Sequence, residues 1–176
     1  MREEDKAQAL RDNLLLYLRA WLDGIQTVWN STKKIGGDPD LVIALYDMDE
    51  NIVFNSTSDI PDGNGQIPGG YPFLSFALLN EGGISDLKTM ASYQLDLYTQ
   101  GMFLNRYIRT RLNVNMGLVS DRNEPVGYHD LFDNSSGLPV LNGKLTLSAD
   151  KELWIPHNDD EDPSIKRFRL NIIIEV

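Results

Sequence analysis

The segment DMDEN, residues 47–51, carries the carboxylates whose spacing comes nearest to a known metal site. Asp47, Asp49 and Asn51 alternate as the first ligands of a calcium-binding loop do. The sixth position of such a loop requires glycine and here holds Ile52, and the twelfth requires a bidentate glutamate and here holds Ser58. The pattern therefore predicts a hairpin turn between two strands and no calcium site.

The other groups capable of chemistry do not form a recognised catalytic pattern. His129 and His157 each lack the second ligand at helical spacing that a zinc site would need. Ser135 and Ser136 precede a glycine but do not form Gly-x-Ser-x-Gly, the motifs GxxxxGK and GxGxxG do not occur, and the chain has no cysteine. We predict no catalytic residue, no cofactor and no metal ligand, and a protein that is not an enzyme.

The acidic run HNDDEDPS, residues 157–164, has two interpretations. Hard cations prefer clustered carboxylates, so the run could attract calcium weakly. A charged run of this kind is more simply a solvated surface loop, and we adopt this interpretation.

Charge and length restrict the class of protein. The chain has 176 residues and carries 16 Lys and Arg against 26 Asp and Glu, a net charge of −10. Its length fits one domain spanning residues 1–176. The acidic excess repels nucleic acid over most of the surface, although it would let DNA slide through a channel without adhering.

The N-terminal segment MREEDKAQAL is charged where a signal peptide would be apolar. No apolar run approaches the roughly 20 residues that cross a bilayer. We predict a soluble protein that is made in the cytoplasm and has no membrane partner.

Residues 3–34 show the apolar spacing of one long helix. Its apolar stripe recurs at intervals of three and four residues and comprises Leu10, Leu14, Leu18, Trp21, Ile25 and Val28. The glycine pair at 36–37 would end the helix, and Gly24 is a point at which it could be interrupted. Trp21 and Trp29 lie on this wide face, which we expect either to pack into the core or to contact another subunit.

Runs rich in β-formers, several of them alternating, predict the strands. We expect a hairpin at 41–46 and 52–54, strands at 73–80 and 92–99, a second hairpin at 145–147 and 153–155, and a last strand at 165–176. We expect long loops near 58–72, 119–138 and 157–164, where Gly, Pro and polar residues concentrate.

The segment MFLNRYIRTRL, residues 102–112, predicts a second helix with Leu104, Ile108 and Leu112 on one face. Arg106, Arg109 and Arg111 are distributed around the rest of this helix and form the main positive cluster of an acidic chain. They could form a solvated face, or they could pair with carboxylates on a neighbouring subunit, for which the arginine side chain is well suited.

The last strand alternates apolar and polar residues and should therefore lie inside a sheet with one buried face. That face comprises Phe168, Leu170, Ile172, Ile174 and Val176. Ile173 is an apolar residue on the opposite, polar face, so we expect a helix or a neighbouring subunit to cover it. Together these elements predict a soluble α+β domain.

The order of the elements resembles that of a known family. The chain begins with the N-terminal helix, the hairpin and the Gly/Pro-rich loop, continues with the strand YQLDLYT leading into MFLNRYIRTRL, and ends with the closing strand RFRLNIIIEV. This order resembles that of the tail terminator, or tail-completion, proteins of bacteriophages. Within this group the chain is similar to the tail-tube terminators of contractile-tailed phages. The resemblance spans nearly the whole chain.

This resemblance implies a fold and a function. The fold would be a mixed, mainly antiparallel sheet with a long N-terminal helix and a second helix packed against it. The protein would be a virion component that forms a hexameric ring, caps the tail tube and stops its polymerisation. Its partners would be further copies of itself, the tail tube protein, the tape-measure protein and the sheath terminator or neck proteins, with DNA only passing through the lumen.

Such a ring needs a heterologous interface, in which one patch meets a different patch on the next copy. We expect Trp21, Trp29, Arg106, Arg109, Arg111 and Ile173 to contribute to this interface or to a partner interface. Another neck or baseplate component of the same virion shares most of these expectations.

An alternative comes from another class of protein. The segment VIALYDMDENIVFNS also resembles the strand, turn and strand of small-molecule sensor domains of the PAS or Cache type, which likewise follow a long helix. Such a domain would bind a metabolite in a pocket, and thermal stabilisation by a small metabolite would favour this interpretation.

Overall fold

The computed structural model describes residues 3–56, 70–85, 88–115, 128–130, 144–155 and 164–175. Within these residues lie helix α1 (Glu3–Val28), a π-helical turn (Trp29–Lys33), helix α2 (Met102–Asn115) and the strands β1 (Ala44–Asp47), β2 (Ile52–Phe54), β3 (Phe73–Ser85), β4 (Lys88–Gln100), β5 (Tyr128–Asp130), β6 (Lys144–Ile155) and β7 (Ile165–Glu175). Most of the predicted loops near 58–72, 119–138 and 157–164 lies outside the described residues. Strand β5 falls within the second of these stretches and contains His129, whereas Ser135, Ser136 and His157 are not described.

The described strands form one sheet in the order β2-β1-β3-β4-β7-β6-β5. Strands β1 and β3 pair in parallel, and all the other neighbouring pairs are antiparallel. The sheet is therefore mixed and mainly antiparallel, and with its two helices the fold is α+β, as predicted. Strand β7 lies between β4 and β6, which confirms that the last strand is inside the sheet.

The second predicted hairpin is wrong, because residues 144–155 form the single strand β6. Its first half pairs with β7 up to Leu147↔Ile172, and its second half resumes at Glu152↔Leu170. Residues 148–151 therefore stand opposite Asn171 alone, as an irregularity in the ladder. The polar residues predicted as a turn become part of the strand, because β7 is long enough to pair with both halves of β6.

Both helices pack on the same face of the sheet. Residues of three central strands meet there in register, in the rows Leu74↔Leu97↔Phe168 and Phe76↔Leu95↔Leu170. Leu14, Leu18 and Leu22 of α1 and Ile108 and Leu112 of α2 form one buried cluster with all of these strand residues except Phe168, which is itself buried. Alternation along the strands and the spacing of three and four along the helices therefore define the core, as the sequence predicts.

Helix α1 runs without a break through Gly24, which is exposed and has no atom within 4 Å of the space where a Cβ would lie. Its last turn is π-helical and closes with a hydrogen bond from the Lys34 amide to the Trp29 carbonyl oxygen (2.9 Å). Gly37 then adopts a φ of 95°, a conformation that favours glycine. The predicted end of the helix is thus confirmed.

Helix α1 is attached along its length to the β1–β2 edge of the sheet. Near its start Arg11 donates through Nη2 to Asp47 (2.5 Å), and near its end the amide of Asn30 exchanges two hydrogen bonds with the backbone of Leu41. Between them the fully buried Arg19 donates to the carbonyl oxygens of Ile43 (2.8 Å) and Phe54 (2.7 Å). Strand β1 therefore runs antiparallel to α1, with the hairpin turn beside the start of the helix.

Helix α2 follows β4 directly, since Gly101 is the one residue between them. Its φ of 82° permits the sharp change of direction, and its amide donates to the carbonyl oxygen of Ser164 (2.7 Å). Asn105 is fully buried and donates to the carbonyl oxygens of Leu97 (3.4 Å) and Lys166 (3.3 Å). These bonds fix the rotation of α2 over β4 and β7.

Among the described residues no helix is long and apolar enough to cross a membrane.

Candidate subunit interface

An open groove lies where the end of α1 meets the start of α2. Trp29 contacts two aromatic rings of α2, with its centroid 5.0 Å from that of Tyr107 in an edge arrangement and 6.1 Å from that of Phe103. Phe103 is 72% exposed although it belongs to this aromatic cluster. A large apolar side chain so exposed beside other aromatic rings is typical of a contact surface.

The groove has two halves, which share Lys33 and Phe103 and are therefore continuous. The cationic half has a volume of about 660 Å³ and is lined by Lys33, Phe103, Arg106, Tyr107, Thr110, Arg111 and Val114. The apolar half has a volume of about 760 Å³, and its lining includes Trp29, Ile35, Leu41, Val42, Tyr71, Pro72 and Phe103. We call the two halves together the helix-end groove.

The two halves differ in charge. The described residues that line the cationic half include three cations and no carboxylate. In the apolar half Lys34 pairs with Asp40 (2.6 Å), and Asp38 is also present. Ile35 and Val42 in this half are 75% and 55% exposed. The groove thus combines apolar contact area with a positive region on an acidic protein.

Three of the predicted interface residues lie at this groove. Trp29 forms part of its wall, Arg106 is exposed in the cationic half, and the guanidinium carbon of Arg111 lies 5.7 Å from the centroid of the Tyr107 ring. Arginine above an aromatic face is attracted by the negative charge of the ring face, and here Arg111 remains exposed. These side chains can therefore meet a partner.

The other three predicted residues lie elsewhere. Trp21 is half-buried against the core, with its ring 5.7 Å from that of Tyr17. Arg109 turns inward, so that its guanidinium carbon lies 4.5 Å from the centroid of the Phe168 ring. Ile173 is paired through its backbone with Ser92 and Thr146, and its side chain lies outside the described residues. The structure therefore brings neither Trp21 nor Arg109 to the groove.

The carboxylates of the hairpin turn at Asp47–Asn51 form hydrogen bonds and an ion pair within the fold. The Asp47 carboxylate is fully buried beside Arg11 and accepts hydrogen bonds from the amides of Asp49 (3.0 Å) and Glu50 (3.3 Å). Asp49 in turn accepts a bond from the amide of Leu78 (2.7 Å), and Asn51 adopts a left-handed φ of 59°. This is the hairpin turn that the sequence predicts. The described residues contain no cluster of three or more metal-ligating side chains.

The face of the sheet opposite the helices carries a second cluster of polar residues. Asp96, of which 1% of the side chain is exposed, accepts bonds from Arg167 (Nη2, 2.6 Å) and Arg169 (Nε, 2.9 Å) on β7. The hydrogen bond to Asp96 raises the pKa of Arg169 above its ordinary value, against a smaller opposing effect of burial. The two arginines thus compensate for the charge of a buried carboxylate.

An aromatic row extends from this cluster across the same face. Tyr71 stacks on Phe73 at 5.6 Å, Phe73 stacks on Tyr98 at 4.5 Å, and the guanidinium carbon of Arg167 lies 5.1 Å from the centroid of the Tyr98 ring. Tyr71 also lines the apolar half of the helix-end groove, so the row reaches the groove edge. The row therefore links the Asp96 cluster to the apolar half of the groove.

Sequence reasoning missed several of these residues. Phe103 could have been predicted from the sequence as an exposed aromatic residue, because it lies off the face formed by Leu104, Ile108 and Leu112. Arg19 gave the weaker signal of a cation among the leucines of α1. The pairing of Asp96 with two arginines depends on the order of β4 and β7 in the sheet, which no local pattern reveals.

The chain matches no protein-family model and no curated protein.

Proposed function

We propose that the protein is a structural subunit of a contractile phage tail. It caps the tail tube as a ring, ends polymerisation of the tube and helps to join the tail to the neck and head. The observation that carries the self-assembling part of this proposal is the helix-end groove. The element order, which resembles that of tail-tube terminators, supports the place in the virion.

The groove supports assembly because it exposes large apolar side chains next to one another. Phe103, Ile35 and Val42 are all more than half exposed and line one continuous surface. Monomeric proteins rarely expose such neighbours unless a partner covers them. The cations Lys33, Arg106 and Arg111 in the cationic half would select an acidic partner and orient it.

The partners follow from the proposed role. The first is the protein itself, in a hexameric ring, and the next are the tail tube protein, the tape-measure protein and the sheath terminator or neck proteins. DNA would pass through the ring lumen without being bound. The protein would be assembled in the host cytoplasm and would end in the virion.

The cavity between α2 and the sheet does not favour the sensor alternative. A cavity between α2 and the sheet, lined by Leu74, Leu95, Leu112 and Phe168 among others, has a volume of about 20 Å³. This is about the space for one water molecule, whereas metabolite pockets are usually several hundred Å³ in volume.

Three measurements test the proposed function. Light scattering over a range of concentrations should give the mass of a closed oligomer, and electron microscopy should show rings with a lumen. When the protein is added to polymerising tube protein, the tubes should become shorter and carry gold-labelled protein at one end only. Unchanged tube lengths, with label at neither end, would contradict the proposal.

A further inference from the structure

The hairpin tip, which we define as residues Asp47–Asn51, presents both acidic and apolar side chains. Met48 is 50% exposed, and Asp49 and Glu50 beside it are exposed carboxylates. An exposed methionine between strands is an adaptable apolar contact. The tip therefore carries the features that complement the cationic half of the helix-end groove.

The tip is also rigid before any partner binds. The buried Asp47 carboxylate is held by Arg11 and accepts two backbone amides of the turn, and Asp49 accepts the amide of Leu78 on β3. The hydroxyl of Tyr46 donates to the side-chain oxygen of Asn51. Because these bonds already order the turn, docking it would lose little conformational freedom.

The tip and the groove lie at opposite ends of helix α1. Arg11 contacts the tip near the start of the helix, and Trp29 forms the groove wall just after its end. The helix between Arg11 and Val28 spans about 25 Å at about 1.5 Å per residue. The rigid tip of one copy cannot reach the groove of the same copy, so such a contact must join two copies.

From this geometry we propose that the hairpin tip of one copy docks in the cationic half of the helix-end groove of the next. Met48 would contact the apolar wall at Phe103 and Val114, and Glu50 would pair with Arg106. Different patches meet in such a heterologous contact, so it repeats in one direction and closes into a ring when the rotation permits. This inference rests on the proposed function in one respect, which is that the occupant is a second copy of the chain.

Charge reversal on each side tests the contact. Arg106→Glu alters the groove and Glu50→Lys alters the tip, and both residues are exposed, so neither change should disturb folding. Each single variant should need at least about tenfold more protein for half-assembly, because it places like charges opposite each other. Light scattering across a dilution series measures this concentration.

Four further samples separate this contact from other interfaces. The chain carrying both changes should assemble almost as the wild type does, and so should an equimolar mixture of the single variants, since each combination restores opposite charges. Ala20→Glu and Ala20→Lys, at an exposed position on α1 outside the groove lining, should leave assembly unchanged.

The outcomes distinguish this inference from the proposed function. If either single variant forms rings at the same concentration as the wild type, the proposed tip–groove contact is wrong, while the proposal that the protein forms rings stands. If Arg106→Glu weakens assembly and Glu50→Lys does not, the groove receives another partner and the inference is overturned. If the wild type remains monomeric at every concentration, the inference fails as well, and the tube-capping measurement decides the proposed function separately.

Discussion

Arg19 shows how one buried side chain fixes the position of α1. Its guanidinium donates to two backbone carbonyls, those of Ile43 and Phe54, and also to Asp23 (3.0 Å) and Gln26 (2.8 Å). No part of it is exposed. A buried charge is stabilised only when it is fully hydrogen-bonded, so these partners explain why an arginine can occupy a position among leucines.

We predict that Arg19→Met destabilises the protein by about 3 kcal/mol in free energy of unfolding. The methionine fills the space of the arginine stem but leaves the carbonyl oxygens of Ile43 and Phe54 without the donor that Arg19 supplies, whereas Gln26 Oε1 still accepts the amide of Ile43 (2.8 Å). Urea denaturation followed by circular dichroism measures the change.

The matched variant Arg19→Lys keeps the charge but not the forked donor geometry, so it should recover only part of the loss. If Arg19→Met proved as stable as the wild type, the hydrogen bonds of Arg19 would be unimportant for stability.

Asp96 gives a second prediction at the residue scale. Asp96→Asn preserves the shape of the side chain but removes the negative charge between Arg167 and Arg169. Because both arginines are partly exposed, with 30% and 25% of their side chains accessible, water screens part of the resulting repulsion. We therefore expect a loss of about 2 kcal/mol in the free energy of unfolding, measured by denaturation.

Arg167→Gln is the control for this prediction. It leaves Asp96 paired with Arg169, so it should cost less than Asp96→Asn. The reverse order would mean that the cation–aromatic contact with Tyr98, rather than the ion pair, dominates this cluster.

At the scale of elements, the sequence predicts helices and strands well where one face is strictly apolar. Helix α1 and strand β7 follow from spacing alone, because their buried residues recur with the helical and strand periods. The single strand β6 could not be predicted in this way. Its polar middle is typical of a turn, and only pairing with the long β7 makes it part of a strand.

Helix α2 shows why part of the candidate interface could not be predicted. The pattern of Leu104, Ile108 and Leu112 placed all three arginines outside the core. In the structure Asn105 takes a buried position, because it donates to carbonyls of β4 and β7, and Arg109 on the same side turns toward Phe168. A buried polar residue has no signature in hydrophobic periodicity, so the inward arginine was not foreseen.

Strand β7 gives a prediction at this scale. Deleting residues 172–176 removes the fully buried Ile172 and the pairing partners of residues 90–93 on β4 and 144–147 on β6. Two strands would then expose unpaired backbone and apolar edges, which favours aggregation. We expect the truncated protein to be insoluble, as judged by the soluble fraction after expression and centrifugation.

The point variant Ile172→Ala is the control for the truncation. It keeps both backbone ladders and loses only side-chain packing, at a cost of about 2–5 kcal/mol. It should therefore be less stable but remain in the soluble fraction to a greater extent than the truncation. A folded, soluble truncation would show that the end of β7 is dispensable.

At the scale of the whole molecule, the net charge of −10 opposes the assembly that the groove favours. Copies that each carry this excess repel one another over long distances. The tip–groove contact places opposite charges within a few ångströms, so the local attraction acts at much shorter range than the repulsion. The two effects therefore differ in how salt screens them.

This difference predicts a non-monotonic dependence of assembly on salt. Raising ionic strength from about 0.01 to about 0.15 M shortens the screening length from about 30 to about 8 Å, which removes long-range repulsion and leaves close pairs nearly intact. The concentration for half-assembly should fall over this range and rise again toward 1 M, where the length is about 3 Å and the close pairs weaken. Light scattering at each salt concentration measures the protein concentration for half-assembly.

Arg106→Glu is the control for this prediction. In this variant the rise toward 1 M should disappear, because it has no attractive pair with Glu50 to lose. If assembly of the wild type instead weakened steadily from the lowest salt upward, attraction between oppositely charged surfaces would outweigh the net repulsion throughout.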